Sequence, residues 1–371
     1  MNQNEIVLKN EERIVFLLRA LYAGYGYQQY KMSKFEEYDL YAGNKDFLIS
    51  DNIITFTDTN GKLMALKPDV TLSIVRASRD QEGFVSRVFY DENVYRVSRG
   101  SHAYKEIMQA GLECIGDIDA YSVSEVLYLA ARSLQTISEN YLLNISHLGI
   151  ISGLLDELGI TSEDRKEALH LIGEKNLHEL KRLLEGAGAP EEAADRLLKV
   201  LDTAGTPSEV LKVLGECGCE PGAVAELKQL TALLESTEAK GHIVIDFSVI
   251  NDMNYYNGIV FKGYIEGVPE GILSGGQYDQ LLKKMGKHSK AIGFAVYLDF
   301  LERFLEQDRA YDVDAVLLYG PETDSALLFA AVQRLTSEGF SVTAQKTLPE
   351  KLRYKMIIEL NKEGVLETRY L

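Results

Sequence analysis

Residues 87–116 read RVFYDENVYRVSRGSHAYKEIMQAGLECIG, and the fold turns on how this stretch divides. Residues 87–98 and 105–116 read as two strands, and Arg99-Gly100-Ser101-His102-Ala103 is the loop between them. Taken singly, Glu113 alternates with apolar neighbours and would face solvent. Upstream, IITFTD and KLMALK are β-rich and flank Thr59-Asn60-Gly61, so residues 52–66 read as a hairpin. Pro68 and Asp69 then open a helix that runs to about residue 79. Further upstream, Val15, Leu17, Leu18, Leu21 and Tyr22 share a helix face within 9–24, and Gly24 and Gly26 end it. Residues 27–41 read as extended. On the other side, Val123, Val126, Leu127, Ala130 and Leu134 mark a helix over 120–138.

From 161 to 238 the texture changes. Leu and Ala recur at helical spacing, β-branched residues thin out, and turns fall at Gly186-Ala187-Gly188, Gly205-Thr206-Pro207 and Pro221-Gly222. This is a string of short amphipathic helices without a fixed repeat. Strand-like sequence resumes at His242-Ile243-Val244-Ile245-Asp246-Phe247 and continues through GIVFKGYIEG. A glycine turn at Ser274-Gly275-Gly276 and a helix over 291–307 are expected next. The final stretch reads as strand (AVLLYG), helix (324–338) and strand (FSVTAQ), a βαβ pattern. The expected organisation is therefore a core of 1–160 with 239–308, an inserted all-α domain at 161–238, and a small C-terminal α/β unit at 309–371.

Bulk properties narrow the function classes. The chain has 371 residues, of which 46% are hydrophobic and 26% charged, as in a globular protein of two or three domains. Lys and Arg number 39 against 56 Asp and Glu, a net charge of −17, which disfavours a phosphate-backbone partner. Cys114, Cys217 and Cys219 are too few, and odd in number, for a disulfide framework; the lone C-x-C makes a weak metal signal. The six histidines are scattered, so no metal and no cofactor is expected. The N-terminal sequence lacks signal-peptide character and no run approaches ~18 apolar residues, so a cytoplasmic location without a membrane span is expected.

The chemistry is carried by an ordered set of segments. They are Leu66-Lys67-Pro68-Asp69-Val70-Thr71, Tyr95-Arg96-Val97-Ser98-Arg99, Gln109-Ala110-Gly111-Leu112-Glu113, Asn254-Tyr255-Tyr256-Asn257-Gly258, Gly275-Gly276-Gln277-Tyr278-Asp279 and Ala291-Ile292-Gly293-Phe294-Ala295. In this order and spacing they resemble the catalytic domain of histidyl-tRNA synthetase, over about 10–150 and 240–305. The resemblance implies an α+β fold of the class II aminoacyl-tRNA-synthetase type: an antiparallel sheet flanked by helices, with a histidine pocket on the sheet and ATP beside it. An amino acid offers an ammonium, a carboxylate and a side chain. Glu113 and Asp69 are acceptors suited to the ammonium, and Gln109 and Thr71 add hydrogen bonds. Tyr255 and Tyr256 can stack on an imidazole. Gly275 and Gly276 permit close backbone approach to a ligand. One at a time, Asp69 and Thr71 would read as helix caps and the tyrosines as core and rim residues; the family order favours the binding reading.

The departures from that family decide what the resemblance implies. Arg96 matches the ATP-contacting arginine of the second motif and remains as a remnant nucleotide or ligand contact. The glutamate expected nearby is Ser98. The third motif's Gly-Leu-Glu-Arg is Tyr297-Leu298-Asp299-Phe300, so its arginine is gone. The arginine expected ahead of the tyrosine pair is Asn251, and the first motif's proline is Ser33. Adenylation builds charge on phosphate, and each missing cation costs on the order of 3 kcal/mol. A chain that keeps the histidine half and loses the ATP half resembles the regulatory-subunit family of ATP phosphoribosyltransferase. That resemblance implies a non-catalytic subunit, partnered by a short-form ATP phosphoribosyltransferase catalytic subunit and by L-histidine as feedback effector. It also implies a homodimer within a hetero-oligomer, without tRNA. The C-terminal unit reads as truncated relative to a synthetase's anticodon-binding domain, in keeping with this. The alternative is a tRNA-independent amino-acid-activating enzyme, for which Arg96 is the best support.

Overall fold

The computed structural model describes residues 10–44, 48, 53–98, 102–250, 255–301, 311–361 and 366–370. The loop residues Arg99, Gly100 and Ser101, the replacement at Asn251, and Asn254 lie outside them. The described residues fall into two compact units, one within 10–304 and one within 305–371.

In the larger unit, helix α1 (Asn10–Gly24) leads to strands β1 (Gln28–Gln29) and β2 (Phe35–Glu37) and a short helix α2 (Tyr38–Ala42). The hairpin is β3 (Thr55–Thr57) and β4 (Leu63–Leu66); with β2 they form a three-stranded sheet in the order β2-β4-β3. Helix α3 (Thr71–Ala77) is followed by the long strands β5 (Val85–Val97) and β6 (Tyr104–Gly116), helix α4 (Ala120–Ile137), strand β7 (Tyr141–His147) and helix α5 (Leu148–Asp156). Five helices follow: α6 (Ser162–Gly173), α7 (Leu177–Gly186), α8 (Glu191–Asp202), α9 (Pro207–Glu216) and α10 (Pro221–Leu234). Strands β8 (Ile243–Ile245), β9 (Ile259–Ile265) and β10 (Leu273–Gln277), helix α11 (Asp279–Lys284) and strand β11 (Lys290–Tyr297) complete the unit.

Eight strands pair in the order β1-β5-β6-β11-β10-β9-β7-β8. The six central strands are antiparallel, while the edge pairs β1–β5 and β7–β8 are parallel. One face is covered by α1 and α4. Tyr22 of α1 packs its ring 6.0 Å from Phe89 and from Phe294 and shares a 2.9 Å hydrogen bond with Ser133 of α4. The missing side chain at Gly263 admits Leu134. Asp119 starts α4 by accepting from Ser122 N at 2.9 Å, an N-cap worth about 1 kcal/mol. The opposite face carries the candidate site.

The helices α6–α10 belong to the same unit and are tied to the β7–β8 edge. Gly205 exchanges two backbone hydrogen bonds with Ile245, and His147 at the end of β7 meets Glu226 of α10 at 3.3 Å.

Three expectations need correction. The expectation of a helix over 291–307 fails at 290–297, which is strand β11; 298–301 is one turn of 3-10 helix, and 302–307 lie outside the described residues. Strand β11 lies mid-sheet with both faces covered, so nearly every position is buried and the alternation that marks a strand is erased. Ser274-Gly275-Gly276 lies within strand β10 and is not a turn; its glycines are strand residues because side chains from neighbouring strands cross over them. Residues 27–41 are only partly extended, since helix α2 begins at Tyr38.

In the smaller unit, β12 (Val313–Leu318), helix α12 (Ser325–Ser337), β13 (Val342–Gln345), β14 (Tyr354–Leu360) and β15 (Leu366–Tyr370) form a sheet in the order β13-β12-β14-β15. The βαβ pattern is present, and β14 and β15 extend it. Ala315, Leu317, Met356 and Ile358 pack against Ala331 and Leu335 of α12.

Candidate functional site

The face of the sheet opposite α1 and α4 has a floor almost without side chains. The pairings Glu113↔Gly293↔Gly276 and Gly111↔Ala295↔Ser274 put these residues on one face of three adjacent strands. Larger side chains lean over the gaps. A Cβ at Gly293 would overlap Glu113 Oε2; one at Gly276 would lie 2.6 Å from Tyr256 Cδ1, and one at Gly111 2.7 Å from the Tyr90 hydroxyl oxygen. The glycines therefore seat Glu113, Tyr256 and Tyr90 on the sheet. At Gly275 and Gly276 the space a Cβ would take is occupied by Phe294, Phe261 and Tyr256.

Glu113 is the centre of the site. It is only 2% exposed, so its single-residue reading as a solvent-facing side chain is wrong. Thr71 Oγ1 donates to Glu113 Oε1 at 2.7 Å and the Tyr278 hydroxyl donates to Oε2 at 2.5 Å. Burial pushes the carboxyl up to about 8, against the pull of these two hydroxyls. Asp69 takes the capping role, accepting from Leu72 N at 2.8 Å at the start of α3, and burial raises its carboxyl as well. Tyr255 and Tyr256 meet edge-on at 4.5 Å between ring centroids, and Tyr278 lies 5.6 Å from Tyr255. Burial raises the Tyr90, Tyr255 and Tyr278 hydroxyls well above their ordinary values, so all three are neutral hydrogen-bonding groups.

Tyr278 was missed as a site residue. It stands just past the end of β10, at the N-cap of α11, where strand alternation gives no signal for it. The tyrosine pair and Tyr278 are also braced together. Asp279 N donates to Asn257 Oδ1 at 2.7 Å, and Asn257 Nδ2 donates to Asp279 Oδ2 at 3.1 Å.

Gln109 and Arg96 sit toward the other half of the face. Gln109 is buried, directly across from Tyr297 on one side and Glu92 on the other. Arg96 Nε donates to the Pro68 carbonyl at 3.1 Å, so this cation braces the segment ahead of Asp69. Lys67, fully buried, pairs with Glu92 at 2.6 Å and was not anticipated. Tyr297 stands where a glycine was expected from the third motif, and Phe300 packs on its ring at 5.9 Å. Bulky aromatic groups thus fill positions where the resemblance expects glycine and arginine. Among the described residues, no group of three His, Cys, Asp or Glu could hold a metal.

Residues 5–301 match the family model of histidyl-tRNA synthetase. An ATP phosphoribosyltransferase regulatory subunit of Oceanobacillus iheyensis is 29% identical over 87% of this chain and 81% of its own. Another, from Desulforamulus reducens, is 30% identical over 92% of this chain and 90% of its own. The chain belongs to the ATP phosphoribosyltransferase regulatory subunit family. It is a regulatory subunit, not the catalyst, built on the histidyl-tRNA synthetase fold. A crystal structure of an ATP phosphoribosyltransferase regulatory subunit/histidyl-tRNA synthetase from Bacillus halodurans superimposes with a TM-score of 0.74, at 26% identity, over 90% of this chain and 88% of that one. Among the described residues, no helix of this regulatory subunit is long and apolar enough to cross a membrane.

Proposed function

We propose that this regulatory subunit senses L-histidine in the pocket around Glu113 and transmits its occupancy to a short-form catalytic subunit of ATP phosphoribosyltransferase, which joins ATP to phosphoribosyl pyrophosphate. The observation that carries the reading is the buried Glu113 carboxyl, held by Thr71 and Tyr278 beside the Tyr255–Tyr256 pair. An arriving α-ammonium supplies the opposite charge that burial denies this group, and Asp69 lies near enough to share it. Gln109 and Thr71 supply the remaining polar contacts, and Tyr255 and Tyr256 flank the imidazole. Arg96 holds the Pro68 carbonyl through Nε, and the reading assigns it no role in chemistry on a nucleotide.

The same proposal covers the assembly and the organisation of the chain. The subunit forms a homodimer within a hetero-oligomer in the cytoplasm and takes no tRNA. Residues 1–160 with 239–308 form the binding core, 161–238 a helical insertion and 309–371 a C-terminal unit.

The test is phosphoribosyl-ATP formation by the short catalytic subunit from the same organism, with and without this chain, followed by a histidine titration. Activation reversed by histidine is the expected result. Activation that histidine leaves untouched would remove the sensing role, and no activation of a folded partner would overturn the reading. Histidine-dependent ATP–pyrophosphate exchange by the chain alone would establish the activating-enzyme alternative; none is expected.

A further inference from the structure

The turn joining α6 to α7 holds an anomaly. Lys175 has φ +57, the left-handed region that β-carbon-bearing residues avoid. It follows the helix end at the position where glycine is the ordinary solution, and Lys175 N and Asn176 N close the turn onto Ile172 O and Leu171 O. The neighbouring helices use that ordinary solution: Gly188 (φ +73) follows α7 and Gly218 (φ +63) follows α9. The Lys175 side chain is 62% exposed along its length but its ammonium reaches a buried carboxylate. Lys175 Nζ donates to Asp246 Oδ2 at 2.8 Å, just beyond β8.

Asp246 is a hub. It is buried, and it also accepts from Asn144 Nδ2 at 3.2 Å and from Ser248 N and Oγ at 3.0 and 2.6 Å. These bonds fix the start of the segment 246–250. Its far end turns back to the same helix: Ile250 Cδ1 is 3.7 Å from where a Cβ at Gly173 would lie. Val249 packs with Leu148 and Val260, and Ile250 and Tyr256 pack against that cluster. Tyr256 in turn lies on Gly276 in the floor of the pocket. A continuous packed path therefore runs from the helical segment to the tyrosine pair.

We propose that Lys175 and Asp246 form a latch that couples the α6–α7 helices to the Tyr256 side of the pocket, so that ligand occupancy and the seating of these helices stabilise each other. This rests on the histidine-sensing reading for the identity of the ligand, but not for the existence of the latch. Coupling between two sites acts equally in both directions, so a helix change that follows binding requires that breaking the latch weakens binding. A contiguous path is a warrant for coupling only once a perturbation moves both ends.

The experiment uses the full chain and combines hydrogen–deuterium exchange with calorimetric titration of L-histidine. The informative variant is Lys175→Gly. It removes the ion pair while relieving the strained backbone, so the turn still folds. Lys175→Arg restores the pairing, Asp246→Asn attacks the pair from the other side, and Lys181→Met is an exposed control. In the wild type, histidine slows exchange in 162–186 as well as in 255–265. Lys175→Gly and Asp246→Asn lose the response in 162–186 and bind histidine at least about fivefold more weakly, the lower end of ordinary coupling. Lys175→Arg and Lys181→Met behave as the wild type. Wild-type affinity in Lys175→Gly together with an unchanged helix response would overturn the latch. If the wild type binds no histidine, the sensing reading fails, and ligand-free exchange decides the latch. Faster exchange at both 243–250 and 259–265 in Lys175→Gly keeps it; no change there removes it.

Discussion

Replacing Glu113 by Gln should make the protein more stable and less able to bind histidine, and both effects follow from the buried carboxyl. In the folded chain Glu113 keeps its proton up to about pH 8, whereas its ordinary value is 4.5. Between those values the unfolded chain has lost a proton that the folded chain still holds, so stability declines as pH rises through the interval. At about 1.4 kcal/mol per pH unit, the accumulated cost is about 3 kcal/mol at pH 7 and approaches about 5 kcal/mol above pH 8. Gln carries none of it. Against that gain, the amide presents one acceptor and one donor, so one of the Thr71 and Tyr278 hydroxyls must turn to accept, at a cost of up to about 1 kcal/mol. The variant should therefore be stabilised by about 2–4 kcal/mol at pH 8, on the order of 5–10 °C in Tm, and by almost nothing at pH 5. Thermal unfolding of both proteins across pH 5–8.5 measures this. A Tm difference that does not grow with pH would refute the reasoning, because it would mean that the Glu113 carboxyl is not held up by burial in the folded chain. Histidine binding should weaken in the same variant by about 10–100-fold, the worth of a charge-assisted hydrogen bond.

Other predictions follow from the same geometry. If the ammonium ionises Glu113, binding at pH 7 releases about one proton, and calorimetry in buffers of different ionisation enthalpy will show it; no proton release would take Glu113 out of the contact. Gly293→Ala should cost about 1–3 kcal/mol and abolish histidine binding, since its Cβ overlaps Glu113 Oε2 and comes 2.6 Å from the Leu112 carbonyl. Gly153→Ala in α5, where nothing lies within 4 Å, should instead stabilise by about 0.5–1 kcal/mol in denaturant titrations. Glu92→Gln should cost more than Lys67→Met, on the order of 3–5 kcal/mol, because it strands a fully buried ammonium while the converse change leaves a partly hydrated carboxylate. Equal costs for the two would show that Lys67 is hydrated.

Local periodicity carried much of this fold. Helix α1 keeps Val15, Leu18 and Tyr22 buried on one stripe, and α4 is bounded by Asp119 and Ser138, close to where the pattern places it. The hairpin around Asn60-Gly61 and the helix ending before Gly339 were equally local matters. Strand β11 was not legible, because a strand covered on both faces buries consecutive residues and so loses its period. At the site, order along the chain brought Asp69, Thr71, Gln109, Glu113, Tyr255 and Tyr256 to attention, but no local rule shows that Glu113 is buried. That depends on Tyr278, 165 residues away, and on the glycine at 293 that leaves room for the carboxyl. Lys67 and Lys175 were invisible for a related reason. A lysine's partner is set by tertiary packing, and a left-handed backbone angle at a non-glycine residue leaves no trace in composition.

The two halves of the sheet face differ in what stands on them, and the difference suits binding without chemistry. On the Glu113 side the floor is glycine, the Tyr90, Tyr255 and Tyr278 hydroxyls are neutral, and burial holds the Glu113 carboxyl up to about 8. On the Arg96 side the cation is engaged with the Pro68 carbonyl, Lys67 is neutralised by Glu92, and Tyr297 rises from the strand. Stabilising a phosphoryl transition state requires free, preorganised positive charge. Lys67 is instead paired with a carboxylate, and Arg96 Nε ties down the Pro68 carbonyl, so both side chains brace the segment 67–69 that leads into Thr71 and its hydrogen bond to Glu113. On the histidine-sensing proposal, substitution at Glu92 or in the segment 67–69 should therefore weaken histidine binding in a calorimetric titration without creating any affinity for ATP.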